Sequence, residues 1–390
     1  MAKRPGGVQR RMAVEHKMTC TFFKTRIRNS SQCIVTLTHL LDQTDEELRS
    51  WLAQNGQPKF RLSQIRDWLA TNRVSTFEEM SNLPKQLREK LAEGFSLWSG
   101  SIAKSHTAED GTEKLLLEWS DKHRIECVLL READRRTVCI STQVGCAMGC
   151  VFCASGIGGV ERNLTSGEII EQLLRLQQRL PKEERLSHIV VMGMGEPLAN
   201  VDRLLPALEF ASDPQGLGIS PRRITISTVG IPSAIDKLTD RESKFHLAVS
   251  LHAPNDELRN ELVPVNKTIG IHKILVAADR YFESSGRRLT FEYVLLAGVN
   301  DGANHAKELS RRLKGRPALL NVIPYNPVDG LPYRTPSSTA LKQFRGILED
   351  AGINVMVRQR KGDKINAACG QLRRKFGQEH DSLVQLRLNQ

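Results

Sequence analysis

The chain has 390 residues, enough for a barrel-sized core with a small appendage. A hydrophobic content of 40 % excludes a disordered chain, and no apolar run reaches the length that crosses a bilayer. The net charge of +12 suits a polyanionic partner, since each Lys or Arg that meets a phosphate releases counterions, although a solvated basic surface carries the same count.

Residues 1–35 are basic and aperiodic, with no hydrophobic run or small-residue cleavage site. They read as a disordered leader, or as the product of an early start codon with Met12 and Met18 close behind, and the expected location is cytoplasmic. Residues 36–103 read as a small helical domain. Thr44 with Glu47 forms a capping box ahead of Leu48, Trp51 and Leu52. Phe60, Ile65, Trp68 and Leu69 mark a second helix, and Pro84 opens a third with Leu87 and Leu91 on one face. This basic domain either packs on the main body or docks RNA. Residues 104–136 are a connector, with 114–119 and 124–130 predicted as a strand hairpin.

From about residue 137 short apolar strands alternate with amphipathic helices. Strands are predicted at 137–141, 188–193, 223–228, 245–252, 289–296 and 319–326, with 353–358 as a seventh. Alternation of this kind implies parallel βα units. The predicted fold is α/β: a partial six-unit relative of the eight-stranded barrel spanning 137–376, then a tail over 377–390. A doubly wound sheet is the alternative. The unusual polar and sulfur residues favour the barrel because they gather just past strand ends, where barrel active sites are built. They are the cysteine loop, the 193–196 turn, Ser227, Ser250, His252 and Asn326.

Of eight cysteines, at 20, 33, 127, 139, 146, 150, 153 and 369, four crowd between 139 and 153. In a reducing compartment such clustering points to metal ligation or catalysis, not a disulfide framework. Cys146, Cys150 and Cys153 offer three thiolates from one short loop. An iron–sulfur cluster takes cysteine thiolates, and three local ligands leave one iron open. A zinc site would want a fourth partner at matching spacing, and neither His123 nor His188 is one.

The string CAMGCVFC resembles the signature of the radical SAM superfamily, in which one 4Fe-4S cluster chelates S-adenosylmethionine and cleaves it to a radical. MGMGEP at 192–197 resembles that family's cofactor motif. By the same resemblance Gly195, Glu196, Ser227, Ser250, Leu251, His252 and Asn326 are cofactor contacts. QVGCAMGCVFCASG, SLHAP and AACGQL together resemble the RNA adenine-C2 methyltransferase family from about Leu37 to Phe376. That resemblance implies 23S rRNA and tRNA as substrates, the targets being one adenosine in the peptidyl-transferase centre and the one 3′ of certain anticodons. It also implies two S-adenosylmethionine consumed per turnover, a flavodoxin or ferredoxin as electron donor, a monomer and no membrane.

It further implies a role for each remaining residue. Cys369 accepts a methyl group, loses a hydrogen to the radical and adds through carbon to adenine C2. Glu126 removes the C2 proton. Cys139 attacks the Cys369 sulfur, closing a disulfide and freeing the base. If Glu126 points into the barrel mouth, strand alternation turns Cys127 away as a structural residue. Lys364 and Asn366 depart from the acidic residues expected before AACGQL. Arg222, Arg223, Arg358, Arg360 and Lys361 are candidates for phosphate contact. The related adenine-C8 methyltransferases, and a zinc-dependent RNA-binding protein without activity, are the competing readings.

Overall fold

A computed structural model describes residues 37–358 and 365–372. Its main sheet has ten strands: β1 (Gly100–Thr107), β2 (Glu113–Trp119), β3 (Arg124–Arg131), β4 (Arg136–Cys139), β5 (His188–Val191), β6 (Ile224–Thr228), β7 (His246–Ser250), β8 (Leu289–Leu295), β9 (Ala318–Pro324) and β10 (Asn354–Val357). They lie side by side in chain order. From β4 to β10 every pairing is parallel, and β1 to β4 are joined by antiparallel pairings.

Chain order is what separates the two predicted architectures. A doubly wound sheet reverses its strand order at a switch point, whereas a barrel winds in one direction. No reversal occurs here, so the fold is the partial βα barrel, with β1–β3 as an antiparallel extension of its first edge. After the N-terminal helices α1 (Asp45–Gln54), α2 (Arg61–Asp67) and α3 (Lys85–Gly94), the unit-forming helices are α4 (Ser166–Gln178), α5 (Val201–Ser212), α6 (Pro232–Asp240), α7 (Ile271–Ser285), α8 (Ala303–Leu313) and α9 (Ser338–Asp350). Thr165 and Glu168 form a capping box at the start of α4.

The N-terminal region carries helices at Asp45–Gln54, Arg61–Asp67 and Lys85–Gly94, the first with its Thr44–Glu47 capping box intact. The helical reading of 36–103 needs correction at its end. Helix stops at Gly94 and β1 begins at Gly100. The GSIAKSHT segment forms an exposed outer strand that buries almost nothing, so it shows no period-two apolar signal. From Thr38 onward the described residues make one compact unit, with a core running from Leu40 through Trp119 and Ile226 to Leu348. No helix among the described residues is long and apolar enough to cross a membrane.

Strand register fixes which side chains share a face, because residues directly opposite in a sheet point the same way and successive ones alternate. Val128 is opposite Cys139, which is opposite Val190, which is opposite Thr225. Thr225 is opposite His246, Ser250 is opposite Glu292, Glu292 is opposite Asn321, and Asn321 is opposite Met356. Counting by twos along each strand puts Lys114, Glu126, Cys139, Ser227, Ser250, Glu292 and Arg358 on one face. Cys127 falls on the other, opposite Leu115 in the apolar core.

Candidate active site

The three-cysteine loop follows β4 directly. A hairpin of Gln143–Gly145 with Val160–Asn163 closes it, and the Cys146 N–H donates to the Gly159 carbonyl at 3.0 Å. Gly145 has φ +82°, and a Cβ there would sit 2.1 Å from the Gly159 oxygen, so the closure admits only glycine. Phe152 is buried and packs edge-on to the His252 ring, with centroids 5.1 Å apart.

Burial pushes the Cys146 thiol up to about 12 and holds Cys150 and Cys153 above their ordinary range as well. Cys146 and Cys150 are raised further by other thiols of the loop, and Cys153 by Cys369. Thiols that resist ionisation in a shared pocket become thiolates when a metal supplies the opposing charge. Among the described residues no three ligands close on one point as a single ion demands. Zinc would draw its thiolates to within about 4 Å of one another. An iron–sulfur cluster distributes its thiolates over separate irons, and three thiols from one loop leave one iron open.

Beneath the loop lies Arg259, whose side chain is fully buried. It donates to the Leu251 carbonyl at 3.0 Å, Ser250 at 3.0 Å and Val229 at 2.6 Å, and to Asn266 Oδ1. One guanidinium thus ties together the ends of β6 and β7. Burial lowers it to about 10, against the pull of Cys150, Asp256 and Glu196. Sequence reasoning missed Arg259, which reads as an ordinary polar helix residue.

The predicted cofactor contacts line the strand ends. Gly195 has φ +103° and approaches so close that a Cβ would lie 2.7 Å from that of Gln143. The Glu196 carboxylate is already engaged, accepting from Leu198 N at 3.0 Å, Thr228 Oγ1 at 2.6 Å and Val229 N at 2.9 Å. It braces the loops after β5 and β6, while the Gly193, Met194 and Glu196 N–H groups of the same turn donate to Ile140 O, Ser141 Oγ and Gln143 Oε1. Ser227 donates to Glu292 Oε2 at 2.7 Å, with Ser250 Oγ 3.5 Å from the same oxygen. His252 holds φ +60°, and its Nδ1 accepts from Val294 N at 3.1 Å. Leu251 is fully buried. Glu292 Oε1 and Asn326 Oδ1 have no hydrogen-bond partner among the described residues. Buried acceptors left this way fit a ligand that brings amino and hydroxyl donors.

The segment bearing Cys369 is pinned across this mouth. Ala154 N donates to Gly370 O at 2.8 Å and Ser155 Oγ to Leu372 O at 2.7 Å. Asn326 Nδ2 donates to Cys369 O at 3.1 Å and Gln371 Nε2 to Pro327 O at 2.9 Å. Cys139 is close enough that the Cys369 thiol adds to the burial that pushes it up to about 12, and Arg358 opposes both. Both cysteines are free thiols. Glu126 is wholly buried on the same face.

Three cationic candidates need revision. Arg358 is an inner residue, its Nη1 3.4 Å from Met192 Sδ and its charge favoured first by Cys369. Arg222 and Arg223 occupy the turn that enters β6, the strand end away from the site. Arg360, Lys361 and Lys364 lie outside the described residues, as do Cys20 and Cys33.

A three-thiol loop at the carboxyl mouth of a singly wound, open βα barrel defines a radical SAM enzyme. Residues 140–309 match the radical SAM superfamily, and residues 38–97 match the ribosomal RNA large subunit methyltransferase N-terminal domain. The fold is shared with the crystal structure of a radical SAM methyltransferase from Sphaerobacter thermophilus, at TM-score 0.84 and 42 % identity over 87 % of this chain and 100 % of that one. A probable dual-specificity RNA methyltransferase RlmN of Rhodopirellula baltica is 63 % identical over 340 residues, 87 % of this chain and 92 % of that protein. One of Bacillus licheniformis is 46 % identical over 336 residues, 86 % and 93 % of the two chains. The chain belongs to the RlmN family of dual-specificity RNA methyltransferases.

Proposed function

We propose that this protein methylates C2 of adenosine in 23S rRNA and tRNA, using Cys369 as the methyl carrier, Glu126 as the base and Cys139 as the resolving thiol. The observation that carries this reading is the convergence of the three groups. Glu126 and Cys139 share the inner face, and the Cys369 segment is pinned over the mouth beside them.

Adenine C2 is electron-poor and offers no nucleophile to a methyl cation donor, so the carbon must arrive as a radical. When bound, a 4Fe-4S cluster on Cys146, Cys150 and Cys153 supplies the electron that cleaves S-adenosylmethionine for that purpose. Ser227, Ser250 and Asn326 would hold the S-adenosylmethionine. Cys369, as the thiolate, takes a methyl group by displacement. The S-methyl group gives one hydrogen atom to the radical, which leaves as 5′-deoxyadenosine; the remaining methylene carbon bonds to C2, and Glu126 accepts the C2 proton. After one electron leaves this adduct for a one-electron acceptor of the flavodoxin or ferredoxin class, Cys139 attacks the Cys369 sulfur. The S–S bond forms as the S–CH2 bond breaks, and the carbon departs with the bonding pair and takes a proton. Resetting the disulfide needs a two-electron reductant, and radical generation a one-electron donor of the flavodoxin or ferredoxin class. Two S-adenosylmethionine are spent, one for the methyl group and one for the radical.

The basic surplus favours RNA, and an unpaired or extruded adenosine gives the thiol access to C2. Nucleoside mass spectrometry of RNA treated with the anaerobically reconstituted protein tests the regiochemistry. We expect 2-methyladenosine; 8-methyladenosine would assign the chain to the C8 chemistry instead.

A further inference from the structure

Lys114 and Glu126 form an ion pair inside the protein. Lys114 Nζ stands 2.8 Å from Glu126 Oε1, and the side chains are 3 % and 0 % exposed. The same ammonium donates to the main-chain carbonyl of Asn366 at 3.1 Å. Register accounts for the meeting: Lys114 is opposite Val128 and Leu116 is opposite Glu126, so Lys114 and Glu126 are diagonal neighbours on the inner face. Asn366 lies in the left-handed region at φ +51°, three residues before Cys369. One cation therefore joins the strand that bears the base to the segment that bears the methyl-carrying thiol.

A desolvated charge pair of this kind is poor value as a stabiliser, because apolar side chains of the same volume do as well or better. Its chemistry is specific, however. A carboxyl group buried alone takes up a proton and can accept no other. An ammonium offers three donors and no acceptor, so it holds a carboxylate ionised without competing for the proton it must receive. It also has a donor to spare for the Asn366 carbonyl.

We propose that Lys114 is a positioning residue for methyl transfer, holding Glu126 as an oriented carboxylate and locking the Cys369 segment at a fixed distance from it. The proposal rests on Glu126 being the base. In this role Lys114 acts through Glu126 and the Asn366 carbonyl.

The test uses the full-length holoenzyme with S-adenosylmethionine, reductant and RNA. Four quantities are followed: the methyl group on Cys369, 5′-deoxyadenosine, methylated adenosine, and any covalent protein–RNA species on a denaturing gel. E126Q examines the base itself. It should still methylate Cys369 and cleave the cofactor, yet lose product by roughly 100-fold and accumulate the covalent species, because the carbon adds but the proton stays. K114M should show the same pattern, K114R should recover most of the product, and K114M/E126Q should be no slower than E126Q. If E126Q forms product at the wild-type rate, the base assignment falls and takes this proposal with it. If E126Q behaves as expected, three outcomes overturn the Lys114 proposal alone. These are wild-type product formation by K114M, loss of product in K114M without the covalent species, and a double variant more than about tenfold slower than E126Q. Should K114M fail to fold, the double variant, which buries no lone charge, and K114R still decide.

Discussion

Burial holds the His252 imidazole far below its ordinary range, at about 3, with Arg259 adding to the effect. The ring is therefore neutral at any working pH, with Nδ1 accepting from Val294 N and Nε2 carrying the hydrogen. In the unfolded chain a histidine takes up its proton near 6.5, so between about 6.5 and 3 the unfolded state binds more protons. Stability from this group is complete above that window and is lost as pH falls through it. Nitrogen-15 NMR should find the His252 ring neutral down to about pH 5; a ring titrating near 6.5 would contradict its burial. The cluster thiols lean the other way. Burial disfavours their charged form, so iron binding must release protons, and loading should improve as pH rises from about 6 to 9. Iron content after reconstitution across that range checks the sign. Single residues were also where spacing spoke most clearly. Cys146, Cys150 and Cys153 announced themselves because the loop that holds them is local. Arg259, Glu292 and Lys114 did not, because what defines each is a partner on another strand or loop.

Elements follow the same division. The capping boxes at Thr44 and Thr165 are local hydrogen-bond patterns and could be read directly from four residues each. At α4 the box does more, since Glu168 also pairs with Arg162 at 2.7 Å, fastening the hairpin that closes the cysteine loop to the helix behind it. Thr165→Ala should cost about 1 kcal/mol in denaturant unfolding. No loss would mean the cap is redundant with the packing of α4. The outer strand β1 escaped the reading because its side chains are exposed on both faces and carry no alternation. Glu126 illustrates the middle case. Alternation in RIECVLL separates Glu126 from Cys127, but only the pairing with β2 and β4 shows which of them faces the site.

At the scale of the molecule, the parallel βα succession in the sequence implied the barrel, and the strand order removed the doubly wound alternative. What spacing could not supply was the long-range closure. Cys369 lies 230 residues beyond Cys139 in the chain, and it reaches the mouth through Ala154, Ser155, Asn326 and Lys114, four residues from three separate segments. Asn326→Ala should therefore loosen the thiol segment as well as the cofactor site. We expect slower methylation of Cys369 at saturating S-adenosylmethionine, read by mass spectrometry of the 369 peptide. An effect on cofactor affinity alone would confine Asn326 to binding.

In the proposed mechanism the methyl carbon passes through Cys369 and loses a hydrogen there, and deuterium labelling follows both events. Protein methylated with S-adenosylmethionine bearing a trideuterated methyl group is freed of excess cofactor, then given unlabelled S-adenosylmethionine and RNA for a single turnover. The new methyl group on adenosine should carry two of its three deuterium atoms, with the third in 5′-deoxyadenosine. A product that keeps all three, or an unlabelled methyl group that bypasses the loaded thiol, would contradict the account.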